Sequence, residues 1–158
     1  MTIDPGEAKA LADIERYGGH IIHVAGEGEL SPFSYSVGIF RSSRNPEVVV
    51  IGLKQNLAHF VLNEYNRRSK AGEIFVPGTL YAEFIEGFEV TFEKVEPRFY
   101  AEYSGWNLWH YDGPNFEVLQ LVYPTTGGVW PWQSSATDWF RSWQPILTSV
   151  PVSPAKYP

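Results

Sequence analysis

The stretch Pro46-Glu47-Val48-Val49-Val50-Ile51-Gly52-Leu53 runs straight into Lys54-Gln55-Asn56-Leu57-Ala58-His59-Phe60-Val61, and the change of hydrophobic period between the two decides the fold class. The run from Val48 to Leu53 is the longest apolar one in the chain and has strand length. From Gln55 to Ala71, Leu57, Phe60, Val61 and Tyr65 recur at helical spacing, and Gly72 stops the pattern. His59 falls roughly opposite that stripe, on the solvent side. No regular β-α-β alternation follows. Leu80 to Val95 reads instead as a hairpin turning at Glu86-Gly87. A strand, a helix and then a hairpin is the order of an α+β domain.

Working outward, Asp4-Pro5-Gly6-Glu7 opens a helix, with Asp as N-cap, Pro at the first helical position and Glu at the third. Ala8, Leu11, Ala12 and Ile14 give it an apolar stripe, and Gly18-Gly19 ends it. His20 to Ala25 and Phe33 to Phe40 read as strands. In the hairpin, two loop residues would pair Ile85 with Phe88, Glu83 with Val90 and Tyr81 with Phe92. Glu83 would then be the one charge on a face of Tyr81, Ile85, Phe88, Val90 and Phe92. Arg98 to Trp109 is a short helix or an irregular stretch. Phe116 to Tyr123 is a strand, Val129 to Trp132 a short edge strand (Pro131 cannot donate to a ladder), and Ser135 to Trp143 a last short helix. The expectation is an α+β fold: a mostly antiparallel, partly barrel-like sheet, two main helices and a Trp-rich C-terminal segment. Residues 1–144 form one domain, and 145–158 a Pro-rich extended tail.

The 158 residues carry 12 basic and 18 acidic side chains, a formal net charge of −6, which argues against nucleic-acid binding. The densest basic spot, Arg67-Arg68-Ser69-Lys70, complements the end of the Gln55 helix. Cysteine is absent, so disulfides, thiolate metal sites and cysteine nucleophiles are excluded together. The N-terminus lacks the pattern of a signal peptide and no apolar run reaches the ~18 residues of a membrane span. The expected setting is the cytoplasm.

Few residues are spaced for chemistry. His20-x-x-His23 invites a metal reading, but strand residues three apart point to opposite faces, so the two cannot share an ion. No metal and no cofactor is expected from any motif; nucleotide loops and a Gly-x-Ser-x-Gly elbow are missing. Glu83 and His110 are the weak catalytic candidates. Burial of Glu83 among apolar residues would raise its pKa, and His110 in Trp109-His110-Tyr111-Asp112 could be a tuned base. The strongest anomaly is aromatic. All six Trp follow residue 105, with little basic interleaving. Trp109, Trp130, Trp132 and Trp139, with Tyr35 and Gln120, are the candidate binding residues. On an extended segment Trp130 and Trp132 would point the same way, as a two-ring platform.

A resemblance adds to this. Phe33-Ser34-Tyr35-Ser36-Val37-Gly38, then Pro46 to Leu53, Gly72 and Gly78 bracketing Phe75, Gly87, Leu119-Gln120-Leu121-Val122-Tyr123-Pro124, and Trp130-Pro131-Trp132 occur in that order. Together they resemble a mostly bacterial family, domain of unknown function 4262, over roughly Gly18 to Trp132. The family usually has an acid where Thr125 stands, and often one where Gln133 stands. The resemblance implies a small bacterial cytosolic α+β domain and no particular reaction. Two functions compete. The first is a non-catalytic module binding a basic protein partner, in one version an immunity protein that neutralises a toxin. The second is a small-molecule site, by fold-level analogy a flavin-like one, with Tyr35, Glu83, His110 and Gln120 in a Trp-walled pocket. Carbohydrate recognition by Trp130 and Trp132 is a third reading.

Overall fold

β3 (Glu47–Ile51) is buried along its whole length, as its Val48–Ile51 run requires, and its leading Glu47 is buried with it. The computed structural model describes residues 4–148. In it β3 pairs antiparallel with β2 (Phe33–Val37) and parallel with β6 (Val118–Val122). β1 (His20–Val24) extends the sheet beyond β2, while β5 (Phe88–Lys94) and β4 (Tyr81–Ile85) extend it beyond β6. The order is β1-β2-β3-β6-β5-β4, with every pairing antiparallel except β3 to β6. This is the α+β class. The sheet is open, with β1 and β4 as edges, so it is not closed into a barrel.

Helices cover both faces. α1 (Pro5–Tyr17) is capped by Asp4, which accepts from Glu7 N, and ends at left-handed Gly18. α3 (Gln55–Lys70) lays Ala58, Val61, Leu62 and Tyr65 over Val48, Val50, Phe92 and Leu121. The buried stripe is therefore rotated from the expected one, and Phe60 is 57% exposed. On the other face Tyr35, Val49, Ile51 and Val118 pack with Tyr100, Phe116 and Leu147. Tyr100 opens α4 (Tyr100–Tyr103), and α5 (Gly105–His110) follows against β2.

Four other expectations shift, each for a local reason. The strand from Phe33 stops at Val37 because Gly38 turns left-handed (φ 99°), and Ile39–Ser43 become the short helix α2. A Cβ on Gly38 would sit 2.7–2.9 Å from Ile14, so this turn also seats α1. In the hairpin, Ile85 faces Phe88 as expected, but Tyr81 faces Val90 rather than Phe92. Glu83 adopts φ 71° at the irregularity, so Phe84 turns inward and Glu83 outward. Val129 to Trp132 is not a strand: the chain turns at Pro131 and Trp132, closed by Gln133 N donating to Trp130 O. The tail is docked at its start. Gln120 Nε2 donates to Pro145 O (2.8 Å), Leu147 N donates to Gln120 Oε1 (2.9 Å), and Glu96 N donates to Leu147 O. The rest of the expected tail, 149–158, lies outside the described residues.

Candidate functional site

Where the parallel pair β3 and β6 ends, the chain builds an open aromatic groove. Gly52 leaves β3 at φ 90°, and a Cβ there would lie 2.6 Å from Tyr123 Oη and 2.8 Å from the Trp143 indole. Only glycine lets those rings close in. Trp143 Nε1 donates to Gly52 O (2.9 Å), Ser31 Oγ to Trp143 O (2.6 Å) and Tyr123 Oη to Ile51 O (2.6 Å). These bonds dock α6 (Asp138–Trp143), whose N-cap Thr137 accepts from Phe140 N. One turn before Trp143, Trp139 stacks on it at 5.5 Å and 14° and is 65% exposed.

The groove below the pair holds about 430 Å³ and is walled by Leu53, Leu57, Ile85, Phe88, Trp139 and Trp143. Through Leu57, Ile85 and Phe88 it continues into a depression beside Phe60 that also bears Glu83, Glu86 and Glu89. Through Trp139 and Trp143 it continues to Glu29 and Asp138. All five carboxylates are exposed, and among the described residues none of them enters an ion pair. The groove thus joins an apolar floor to an acidic rim.

The remaining expected site residues fall elsewhere. Glu83 is exposed rather than buried among apolar side chains, and it belongs to the rim. Tyr35 and Gln120 share one cross-strand row through Val49, but both are buried. The Tyr35 hydroxyl accepts from Trp106 N, and Gln120 holds the 145–147 segment. Neither they nor His110 reach a cavity with Glu83. Trp109 is 43% exposed on α5, over the opposite face of the sheet from α3. Trp130 is core, and Trp132 stacks on it at 5.4 Å and 11°. In the turn one ring covers the other, so no side-by-side platform exists. His20 and His23 do face opposite ways: His20 Nδ1 lies 2.7 Å from Asp13 Oδ2, and His23 Nδ1 lies 2.6 Å from Ser34 Oγ.

Glu47 was not legible as a special residue. It heads β3, is fully buried, and its carboxylate accepts from Ser36 Oγ (2.7 Å), Gly38 N (3.0 Å), Ile39 N (3.2 Å), Phe40 N (2.9 Å) and Tyr111 Oη (2.5 Å). Gly38 has no side chain to cap α2, so a carboxylate from the next strand does it. Burial pushes the Glu47 carboxyl up, while Tyr111, the backbone donors and Ser36 pull it back. Tyr111 is in turn pushed up by burial and by Glu47. With about four lone-pair sites and five donors, this carboxylate has no capacity left for a substrate. His110, next in chain to Tyr111, is held below the usual histidine range by burial and the Arg41 charge. Among the described residues no group of three or more His, Asp or Glu is placed to hold a metal ion, and no helix is long and apolar enough to cross a membrane.

Compared with known proteins, residues 13–137, about four-fifths of the chain, match the family model described as Domain of unknown function (DUF4262). No curated protein and no solved structure is matched.

Proposed function

The chain belongs to the family described as Domain of unknown function (DUF4262), and from that premise we propose that it is a non-catalytic module that captures a basic protein partner on the aromatic groove. One observation carries the reading: the exposed Trp139, stacked on the half-buried Trp143, stands over an apolar groove ringed by Glu29, Glu83, Glu86, Glu89 and Asp138, none of which enters an ion pair among the described residues. Stacked indoles on a short, well-anchored helix give a large contact area at low entropic loss. The rim steers a positively charged surface toward them and rejects an acidic one. The concrete form we favour is an immunity protein in a bacterial cytoplasm, occupying the basic active site of a toxin. A chain without cysteine is compatible with that reducing setting.

The test is co-purification with the product of the adjacent gene, followed by affinity measurement on variants. Wild type should bind a basic neighbour-encoded protein. Trp139→Ala should weaken binding by about 30-fold or more, the range of a hot-spot residue. No binding, or binding unaffected by Trp139→Ala, overturns the proposal.

One observation favours a second reading. The groove lies beyond the carboxyl ends of the parallel strands β3 and β6, where open sheets often receive ligands, and its volume suits a small flat molecule such as a flavin-like cofactor. A coloured protein as purified, or a co-purifying ligand in native mass spectrometry, would move the assignment to this class.

A further inference from the structure

At the opposite edge of the sheet, β1 and α3 bring two imidazoles together, nitrogen to nitrogen, with their rings tilted by 32°. His23 Nε2 lies 3.1 Å from His59 Nδ1, with ring centroids 5.3 Å apart. On its other side His23 Nδ1 is 2.6 Å from Ser34 Oγ, and Ser34 stands opposite His23 in the β1–β2 register. Two neutral imidazoles can meet this closely in two ways. One lends an N–H to the lone pair of the other, or a cation takes both lone pairs.

Two features match the second arrangement. A tetrahedral ion with bonds of about 2.0–2.1 Å to each nitrogen holds the pair roughly 3.3 Å apart, close to the observed gap. A metal-ligating histidine also passes its other N–H to an oxygen, which fixes tautomer and ring direction. Buried Ser34 Oγ is placed to accept that proton from His23, and doing so turns the Nε2 lone pair toward His59. His59 is exposed, so an ion there has access to solvent. Since no third His, Asp or Glu of the described residues joins the pair, water would fill the remaining positions.

We propose that His23 and His59 form a two-imidazole site for a borderline divalent cation of the Zn²⁺, Ni²⁺ or Cu²⁺ kind, which clamps edge strand β1 to α3. Imidazole nitrogen selects these ions, while Mg²⁺ and Ca²⁺ require oxygen ligands. The site is independent of the aromatic groove and does not rest on the function proposed for it.

The experiment uses the full chain without a histidine tag, freed of metal by EDTA and titrated with ZnCl₂, NiCl₂ or MgCl₂. Calorimetry and the thermal midpoint are followed together. Zn²⁺ and Ni²⁺ should each bind once per chain and raise the midpoint, and Mg²⁺ should do neither. His59→Ala, at an exposed position, should leave the metal-free midpoint nearly unchanged, weaken Zn²⁺ binding by at least about tenfold and remove the Zn²⁺-dependent shift. His20→Ala, which alters the histidine paired with Asp13, should leave Zn²⁺ binding intact. An unchanged midpoint in Zn²⁺ for wild type, or a shift that survives in His59→Ala, overturns the site.

Discussion

Glu47 and Glu83 show how little a residue's type says about its role without its backbone. Strict alternation along the hairpin put Glu83 on an apolar face. A single left-handed residue, not encoded by any glycine or asparagine, reversed that. Glu47 looked like an ordinary polar residue at a strand end, yet it caps α2 from inside the core. The one signal that could have found it is an acid at the head of a strand otherwise made of Val and Ile, following a glycine-ended strand. Glu47→Gln replaces a lone-pair-bearing oxygen with an N–H₂ facing donors it cannot satisfy. We expect it to lower unfolding free energy by roughly 2–4 kcal/mol, measured by urea denaturation. A loss under about 0.5 kcal/mol would remove the capping role. At His110 the prediction concerns pH. Its folded-state pKa is depressed by burial and by Arg41, so the unfolded chain binds the proton more readily. Stability is then full above about pH 6.5, the ordinary histidine value, and falls as pH drops below it. His23 is shifted the same way, by burial and by His59 and His20, so His110→Phe should shallow the acid slope of the thermal midpoint without flattening it. An identical slope in the variant would count against this account.

Among the elements, those set by capping and periodicity were legible, and those set by tertiary contact were not. α1 could be read from Asp4, Pro5 and Gly18, since each acts within one turn of the chain. β3 and α3 followed from the switch of period at Gly52. α2, the turn at Pro131 and Trp132 and the docking of residues 145–148 depend on partners in other elements of the fold: Glu47 and Ile14 for the first, Arg141 for the second, Gln120 for the third. Arg141 donates to Pro131 O and Gln133 O, which holds that turn onto α6. The β4 edge yields a prediction at this scale. Glu83 pays the left-handed penalty of an L-residue at φ 71°, roughly 1–2 kcal/mol in principle, and makes no ion pair among the described residues. Glu83→Gly should therefore stabilise the chain by roughly 0.5–1 kcal/mol in thermal unfolding, since glycine's freer unfolded chain offsets part of the relief. Gly52→Ala should act the other way. Its Cβ would press on Tyr123 Oη and the Trp143 indole, so we expect a loss of about 2 kcal/mol or more with a shifted tryptophan emission. A wild-type-like midpoint and spectrum would mean that α6 is not seated on Gly52.

On the scale of the molecule, the sequence announced an acidic chain with its tryptophans gathered late, and both properties meet in the groove. What could not be read was which tryptophans would be exposed. That depends on α6 docking across the ends of β3 and β6, which leaves Trp139 outside and ties Trp143 to Gly52. The division can be tested without a partner. Trp143→Ala deletes the indole that donates to Gly52 O and should lower stability by about 3 kcal/mol. Trp139→Ala, at an exposed position, should change it by less than about 1 kcal/mol. With the basic partner in hand, the rim supplies the complementary prediction. Five exposed carboxylates around an apolar floor act over a Debye length of about 10 Å at 0.1 M salt, so they should govern the rate of encounter more than the lifetime of the complex. Glu86→Lys with Glu89→Lys should slow association about tenfold at low salt and weaken its dependence on ionic strength, while dissociation changes little. Trp139→Ala should do the reverse, leaving association nearly unchanged and speeding dissociation. If both variants acted on the same rate constant, the groove and its rim would not be performing the separate tasks of anchoring and steering that their chemistry assigns them.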